Sequence, residues 1–174
     1  SVTTHSFDIF GLEVWLPLIT GGRCYLCPDK VIKDAHKLTA LICSIRPDIM
    51  QATPATWSML FQAGWENAER VRILCGGDAM PSTLKNLFDK YACAVWNMYG
   101  PTETTIWSTL SKLSTDSNVT IGKPIANTRI YIVRKDMSLC ESDEPGELCI
   151  SGAGLAVGYW NNPKLTSEKF IDNP

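Results

Sequence analysis

Stretches in which apolar side chains recur at helical spacing alternate along this chain with short apolar runs of strand character. Asp8 stands where a helix running to about Thr20 would be capped, and Gly21 and Gly22 would stop it before a short strand at residues 24–27. Val31, Ile32, Ala35, Leu38, Leu41, Ile42 and Ile45 line one face of a second helix, which Arg46 and Pro47 end. A strand at residues 48–52, a helix over 54–63 and a strand at 71–75 follow. Pro81 suits a first helical turn with Leu84, Leu87 and Phe88 behind it, and residues 94–98 read as a further buried strand. This β-α-β-α rhythm predicts an α/β fold, a parallel sheet flanked by helices with ligands at the carboxyl ends of its strands.

From residue 121 the texture changes. Residues 129–134 and 147–151 read as strands joined by a polar turn rich in Asp, Glu, Ser and Pro. The expected division is therefore an α/β portion over 1–120 and a smaller β-rich portion over 121–174, with no internal repeat.

Composition narrows the picture. The 174 residues are 45% apolar and 20% charged with a formal net charge of −2, as in ordinary globular proteins. That balance offers no bulk charge for nucleic acid or anionic lipid. The apolar run over 9–19 is broken by Gly11, Glu13 and Pro17 and is shorter than the ~20 residues of a membrane span, so neither a membrane segment nor a signal peptide is expected. Seven cysteines, Cys24, Cys27, Cys43, Cys75, Cys93, Cys140 and Cys149, are expected as reduced core residues of a cytoplasmic protein. Cys24 and Cys27 form a C-x-x-C pair, but no second pair or histidine cluster completes a zinc site, and packing is the preferred reading.

Three segments carry candidate chemistry. In the first, Asn97, Met98 and Tyr99 lead into Gly100-Pro101-Thr102-Glu103-Thr104-Thr105. A nucleotide site needs a flat ring for the base, hydroxyl donors for phosphate oxygens and a carboxylate for Mg²⁺, and Tyr99, Thr102 and Glu103 supply one of each. The same residues suit a tight turn with a capped helix start, so the segment alone leaves both readings open. In the second, Gly76, Gly77, Asp78 and Ala79 follow a strand, where paired glycines admit a ligand to the backbone or simply make a turn. The third, residues 146–160, contains Gly146, Gly152, Gly154 and Gly158 and ends in Tyr159-Trp160, with Asn162, Pro163, Thr166 and Phe170 beyond it.

Taken together and in this order, the segments resemble the adenylate-forming superfamily, specifically the amino-acid adenylation domains of nonribosomal peptide synthetases. The resemblance rests on Asn-x-Tyr-Gly-Pro-Thr-Glu, on Gly-Glu-Leu-x-Ile-x-Gly-x-Gly-Leu-Ala-x-Gly-Tyr, and on Phe7-Asp8 heading a Trp- and Leu-rich helix, and it covers the whole chain. One position departs: Val157 stands where the family usually has Arg.

The resemblance implies ATP and Mg²⁺ as cofactors and an aminoacyl adenylate as product. It assigns Tyr99 to stacking on adenine, Asn97 to the adenine amino group, Thr102 to the phosphate and Glu103 to the metal, with Gly77, Asp78 and Ala79 as the opposite wall and Gly100 in the turn. Asp8 would pair with the substrate ammonium, its competing role being the helix cap. The amino-acid pocket implied by motif alignment is Asp8, Ile9, Leu12, Gln51, Leu74, Gly76, Met98, Ile106 and Trp107. This set is mostly bulky and apolar and resembles the family's glycine pattern, so glycine is expected, with alanine next.

Rival readings are an acyl- or aryl-CoA synthetase of the same superfamily, disfavoured by Pro101 and Asp8, and a non-catalytic binding module. The resemblance also implies partners outside the chain, namely condensation and carrier domains, the latter bearing phosphopantetheine. It places a phosphate loop with its lysine before Ser1, and a ribose-binding aspartate and the lobe with the catalytic lysine after the last residue. The chain alone is expected to be an inactive internal fragment.

Overall fold

The computed structural model describes every residue except Ala92, Cys93, Asp116 and Pro174. Two compact units emerge: Ser1–Tyr99 with Thr109–Lys123, and Gly100–Ser108 with Pro124–Pro174.

The first unit runs α1 (Ile9–Ile19), α2 (Asp29–Ile32), α3 (Ala35–Ile45), β1 (Ile49–Ala52), α4 (Pro54–Gln62), β2 (Arg72–Gly76), α5 (Ser82–Tyr91), β3 (Val95–Tyr99) and β4 (Thr109–Lys112). Strands β1, β2 and β3 are parallel, β4 pairs antiparallel with β3, and the two-residue β5 (Lys123–Pro124) follows in the sheet order. The α/β fold with a helix-flanked, mostly parallel sheet is thus present. Local chemistry sets the boundaries. Asp34 accepts a hydrogen bond from the Lys37 backbone N–H at 3.1 Å and so starts α3, which breaks the predicted 31–45 helix into α2 and α3. Arg46, at φ 49°, ends α3 in the left-handed conformation. Thr53 caps α4, with Pro54 in its first turn.

Strand pleating separates two faces of this sheet. Register pairs Met50 with Ile73, Ala52 with Cys75 and Ile73 with Val95, and these residues join Leu38 and Ile42 of α3, Trp57 and Leu60 of α4, and Leu84 and Phe88 of α5 in the core. Trp57 and Leu60 are fully buried, and each such side chain contributes about 1.5–3 kcal/mol by leaving water. The Trp57 indole N–H donates to the Leu74 carbonyl at 3.2 Å, which ties α4 to β2 without leaving a buried donor unpaired. On the opposite face the register aligns Gln51 with Leu74, Leu74 with Trp96, and Gly76 with Met98. Gln51 donates from Nε2 to Glu13 Oε1 at 3.2 Å, which puts α1 on that side. Helix α1 leaves Trp15, Leu16, Leu18 and Ile19 exposed.

Two expectations for this unit are corrected. Residues 24–27 form no strand. Among the described residues their strand-like pairing is Ser1 N to Tyr25 O at 2.7 Å and Cys27 N to Ser1 O at 3.0 Å, too short a ladder to make one. The six described cysteines are free thiols, but only Cys75 is buried and Cys43 is exposed; Cys93 lies outside the described residues. Cys24, Cys27, Cys140 and Cys149 are half-buried, and Cys27 packs against the edge of the core.

In the second unit β6 (Thr128–Val133) pairs antiparallel with β7 (Glu147–Gly152). The polar turn between them is held by Arg134, which donates from Nε to Glu144 Oε1 at 2.6 Å and from Nη1 to the Leu139 carbonyl at 2.7 Å. A 3₁₀ turn spans Thr102–Thr104, and a last helix, α6 (Pro163–Lys169), is capped by Asn162, whose Oδ1 accepts from the Leu165 N–H at 3.2 Å. Among the described residues no helix is long and apolar enough to cross a membrane.

Candidate active site

The expected site residues divide between the two units. Asp8, Ile9, Leu12, Gln51, Leu74, Gly76, Gly77, Asp78, Ala79, Asn97, Met98 and Tyr99 belong to the first; Gly100, Thr102, Glu103, Ile106 and Trp107 belong to the second.

In the first unit the sheet register sorts them by face. Gln51, Leu74, Gly76 and Met98 lie on the α1 side, whereas Asn97 and Tyr99, each one residue out of phase, lie on the other. Gln51, Gly76, Met98 and Tyr99 stand at or next to the carboxyl ends of β1, β2 and β3, where an open parallel sheet leaves a crevice, with Leu74 and Asn97 at the middle of β2 and β3. A cleft of about 240 Å³ opens there, lined by Val2, Thr3, Thr4, Phe7, Ile9, Gln51, Ala52, Thr53, Thr56, Gly76 and Gly77. It brings together Ile9, Gln51, Gly76 and Gly77 of the expected set, while Asp8, Leu12, Leu74 and Met98 are not among its lining residues. The four wall residues from the N-terminal segment are an addition that sequence reasoning missed.

Asp8 occupies the residue before α1, yet its own backbone is helical (φ −59°, ψ −32°) and its side chain makes no cap hydrogen bond. The capping alternative for Asp8 is therefore not realised. Asn97 is buried and donates from Nδ2 to the Thr120 carbonyl at 2.8 Å, which orients its amide so that Oδ1 is the acceptor end. Tyr99, at the end of β3, is 37% exposed, as a stacking surface requires. Directly after β2, the Asp78 carboxylate accepts from the Ala79 N–H at 2.7 Å and closes the Gly77-Asp78-Ala79 turn.

In the second unit Pro101 precedes the 3₁₀ turn that carries Thr102 and Glu103. Thr102 is exposed. The Glu103 carboxylate accepts a hydrogen bond from the Tyr159 hydroxyl, which holds it below the ordinary glutamate range and pushes the Tyr159 phenol up. The glycine-rich segment now has a physical role. Its Ala156 N–H donates to the Glu103 carbonyl at 2.8 Å, the Thr105 hydroxyl donates to the Gly154 carbonyl at 2.6 Å, and a Cβ on Gly154 would lie 2.6 Å from the Thr104 carbonyl oxygen. Only glycine lets that backbone lie flat against the Thr102–Thr104 turn. Residues beyond the motif serve the same end: the Thr166 hydroxyl accepts from the Tyr159 N–H at 2.9 Å, and the Phe170 ring packs edge-on to Tyr159 at 5.7 Å. Tyr159 and its supports are contacts of Glu103 that spacing alone did not reveal.

Thr105 and Ile106 follow at φ 61° and 69°, and the Trp107 N–H closes a three-residue turn on the Thr105 carbonyl at 3.0 Å. A β-branched residue at positive φ stores strain of a kind that concentrates at ligand sites. Trp107 is buried and Ile106 half-buried. A second hollow of about 520 Å³ around Asn127, Arg129 and Ser151 contains none of the expected residues. Among the described residues no group of three or more His, Cys, Asp or Glu side chains is placed to hold a metal ion.

Comparison with known proteins agrees with the motif pattern. Residues 1–160 match the AMP-binding enzyme family. The chain is 40% identical to a dimodular nonribosomal peptide synthase of Bacillus subtilis over 100% of its own length and 7% of that protein's. It is 38% identical to tyrocidine synthase 1 of Brevibacillus parabrevis over 97% of its length and 16% of the relative's. The chain thus spans only a small part of the curated relatives it matches. Its fold superposes with a TM-score of 0.92, at 38% identity, on a four-domain nonribosomal peptide synthetase crystallised with AMP and glycine, covering 99% of this chain and 13% of that one. The N-terminal subdomain of Klebsiella oxytoca NpsA in complex with 3-hydroxyanthranilyl-AMSN superposes with a TM-score of 0.83 at 25% identity, covering 99% of this chain and 44% of that chain. With its motifs, fold and full-length similarity in agreement, the chain belongs to the AMP-binding enzyme family and carries the adenylation-domain sequence of nonribosomal peptide synthetases.

Proposed function

We propose that this chain forms part of a synthetase that activates glycine with ATP, giving glycyl adenylate and pyrophosphate for loading onto a carrier-domain thiol. The observation that carries this reading is the pleat of the parallel sheet. It puts Gln51, Leu74, Gly76 and Met98 on one face and Asn97 and Tyr99 on the other, which supports assigning the first set to a small amino acid and the second to a base. One strand end thereby serves two adjoining ligands.

In this assignment Asp8 attracts the substrate ammonium, Ile9 and Leu12 of α1 are apolar pocket residues, and Ile106 and Trp107 are assigned to excluding larger side chains. Alanine is the nearest competitor, since one methyl is worth only about 1–3 kcal/mol of discrimination. Tyr99 stacks on adenine and the oriented Asn97 Oδ1 accepts from its amino group. The substrate carboxylate then attacks the α-phosphate, and Thr102 donates to the phosphate as charge builds on its oxygens. Gly77, Asp78, Ala79 and Gly100 shape the backbone around the nucleotide.

Glu103 sits on a short turn and, among the described residues, no group of three or more His, Cys, Asp or Glu is placed to cage an ion, which fits Mg²⁺ better than a metal held wholly by protein. Magnesium is commonly held by one or two carboxylates together with substrate phosphates and water. Glu103 would be that ligand, and the ion would neutralise charge on the phosphates. The condensation and carrier domains of a synthetase are the partners implied.

Amino-acid-dependent exchange of labelled pyrophosphate into ATP, measured on the full-length parent protein with a panel of amino acids and aryl acids, tests this reading. Exchange that is strongest with glycine supports it. Exchange driven by an aryl or fatty acid, or by no carboxylic acid at all, overturns it.

A further inference from the structure

Glu13 is the only acidic residue within the apolar run over 9–19, and none of the roles assigned above uses it. Its half-buried carboxylate accepts five hydrogen bonds. Oε2 takes the Ser1 hydroxyl at 2.5 Å and the Val2 and Thr3 backbone N–H groups at 3.0 and 3.1 Å. Oε1 takes the Thr3 hydroxyl at 2.6 Å and the Gln51 Nε2 at 3.2 Å. Both oxygens are thus occupied by donors from two directions: the N-terminal segment on one side and strand β1 on the other.

The donors are also walls. Val2, Thr3 and Gln51 line the 240 Å³ cleft, and Gly76 and Gly77 form part of its remaining lining. A carboxylate is suited to this position because it is acceptor-only and can receive several donors at once, whereas an amide has a single acceptor oxygen. Charge-assisted bonds of this kind are short and directional, so they fix the rotamer of Gln51 and the path of residues 1–3 together.

We propose that Glu13 is a positioning residue of the amino-acid site: by clamping residues 1–3 to the Gln51 amide it holds two walls of the cleft in register. This inference rests on the functional reading above, in which Gln51 faces the amino acid. Glu13 touches no substrate; it sets the geometry that Gln51 presents. Replacing it by glutamine keeps the shape but turns an NH₂ group toward one set of donors that need an acceptor, which breaks the link between the two walls.

The test is pyrophosphate exchange by the full-length parent protein with glycine, comparing wild type, Glu13→Gln, Gln51→Leu and the double variant. Wild type is measured first; if it shows no glycine-dependent exchange, the functional reading fails on its own terms. Given an active wild type, Glu13→Gln is expected to raise KM for glycine about tenfold while KM for ATP changes less than about twofold. A merely structural loss would move both constants. The double variant is expected to be no worse than the poorer single variant, because the two side chains act as one unit. Equal rises in both KM values, full additivity, or unchanged kinetics would overturn the proposal while leaving the functional reading in place. Should Glu13→Gln fail to accumulate as folded protein, Glu13→Asp retains both acceptor oxygens on a shorter arm. It is expected to show the same glycine-only rise at smaller size, and a parallel change in both constants rejects the clamp.

Discussion

The Tyr159 hydroxyl donates a hydrogen bond to the Glu103 carboxylate, joining the end of the glycine-rich segment to the turn that carries the proposed magnesium ligand. The bond holds Glu103 below its ordinary value and raises Tyr159. The lowered carboxyl contributes stability above the ordinary glutamate value and loses it as pH falls through the folded value. The raised phenol contributes below the ordinary tyrosine value and loses it as pH rises through the folded value. Between about pH 6 and 9 the pair is therefore constant. Tyr159→Phe should return the Glu103 carboxyl to the ordinary range in an NMR titration and raise the Mg²⁺ concentration needed for half-maximal exchange. An unmoved Glu103 titration would show that the hydroxyl does not hold it.

Gly100 sits where a side chain has no room. A Cβ there would lie 2.4 Å from the Ile106 carbonyl oxygen and 2.6 Å from the Trp107 Cα, both backbone atoms that cannot swing aside. Gly100→Ala should destabilise the parent domain by about 1–3 kcal/mol in denaturant unfolding, with exchange activity falling alongside. Wild-type stability in that variant would mean the turn over 105–108 yields easily.

Cys75, buried in the core with its thiol pushed up to about 12, should stay unlabelled by iodoacetamide at pH 8 in the native protein. Cys43, on the surface, should label first, although a hydrogen bond to Glu69 raises its thiol as well. Mass spectrometry of the modified peptides reads the order, and early modification of Cys75 would contradict the packing described.

Selectivity should follow the cleft-side face of the sheet. Leu74 and Met98 are half-buried there, and Leu74→Ala with Met98→Ala should shift exchange from glycine toward larger amino acids. Trp107→Ser is a poorer probe, because Trp107 is buried and truncating a buried aromatic costs about 3–5 kcal/mol whatever its role. An unchanged substrate profile in the Leu74 and Met98 double variant would remove these positions from the pocket.

Signals that act over a few residues are legible in the sequence: Pro54 and Pro81 at helix starts, Arg46 before Pro47 at a helix end, and the Tyr-Gly-Pro-Thr-Glu turn. The strand at 109–112 escapes because Thr-Leu-Ser-Lys is short and half polar, and its pairing with β3 supplies what its own pattern lacks. The break at Asp34 escapes because the apolar stripe continues in phase on both sides of it. Residues 24–27 show the opposite error, strand-forming side chains with no partner strand. The site's motif positions can be read, but their supports cannot. Glu13 reaches Gln51 across 38 residues and Tyr159 reaches Glu103 across 56, and no local pattern encodes contacts at that range.

A crystal structure of the full parent domain with AMP, Mg²⁺ and glycine tests the central claim most directly. The account predicts the Tyr99 ring stacked on adenine, Asn97 Oδ1 on the adenine amino group, Thr102 and Glu103 at the phosphate and the metal, and the Asp8 carboxylate on the glycine ammonium. A nucleotide bound elsewhere, with Tyr99, Glu103 and Asp8 turned to separate surfaces, would contradict it.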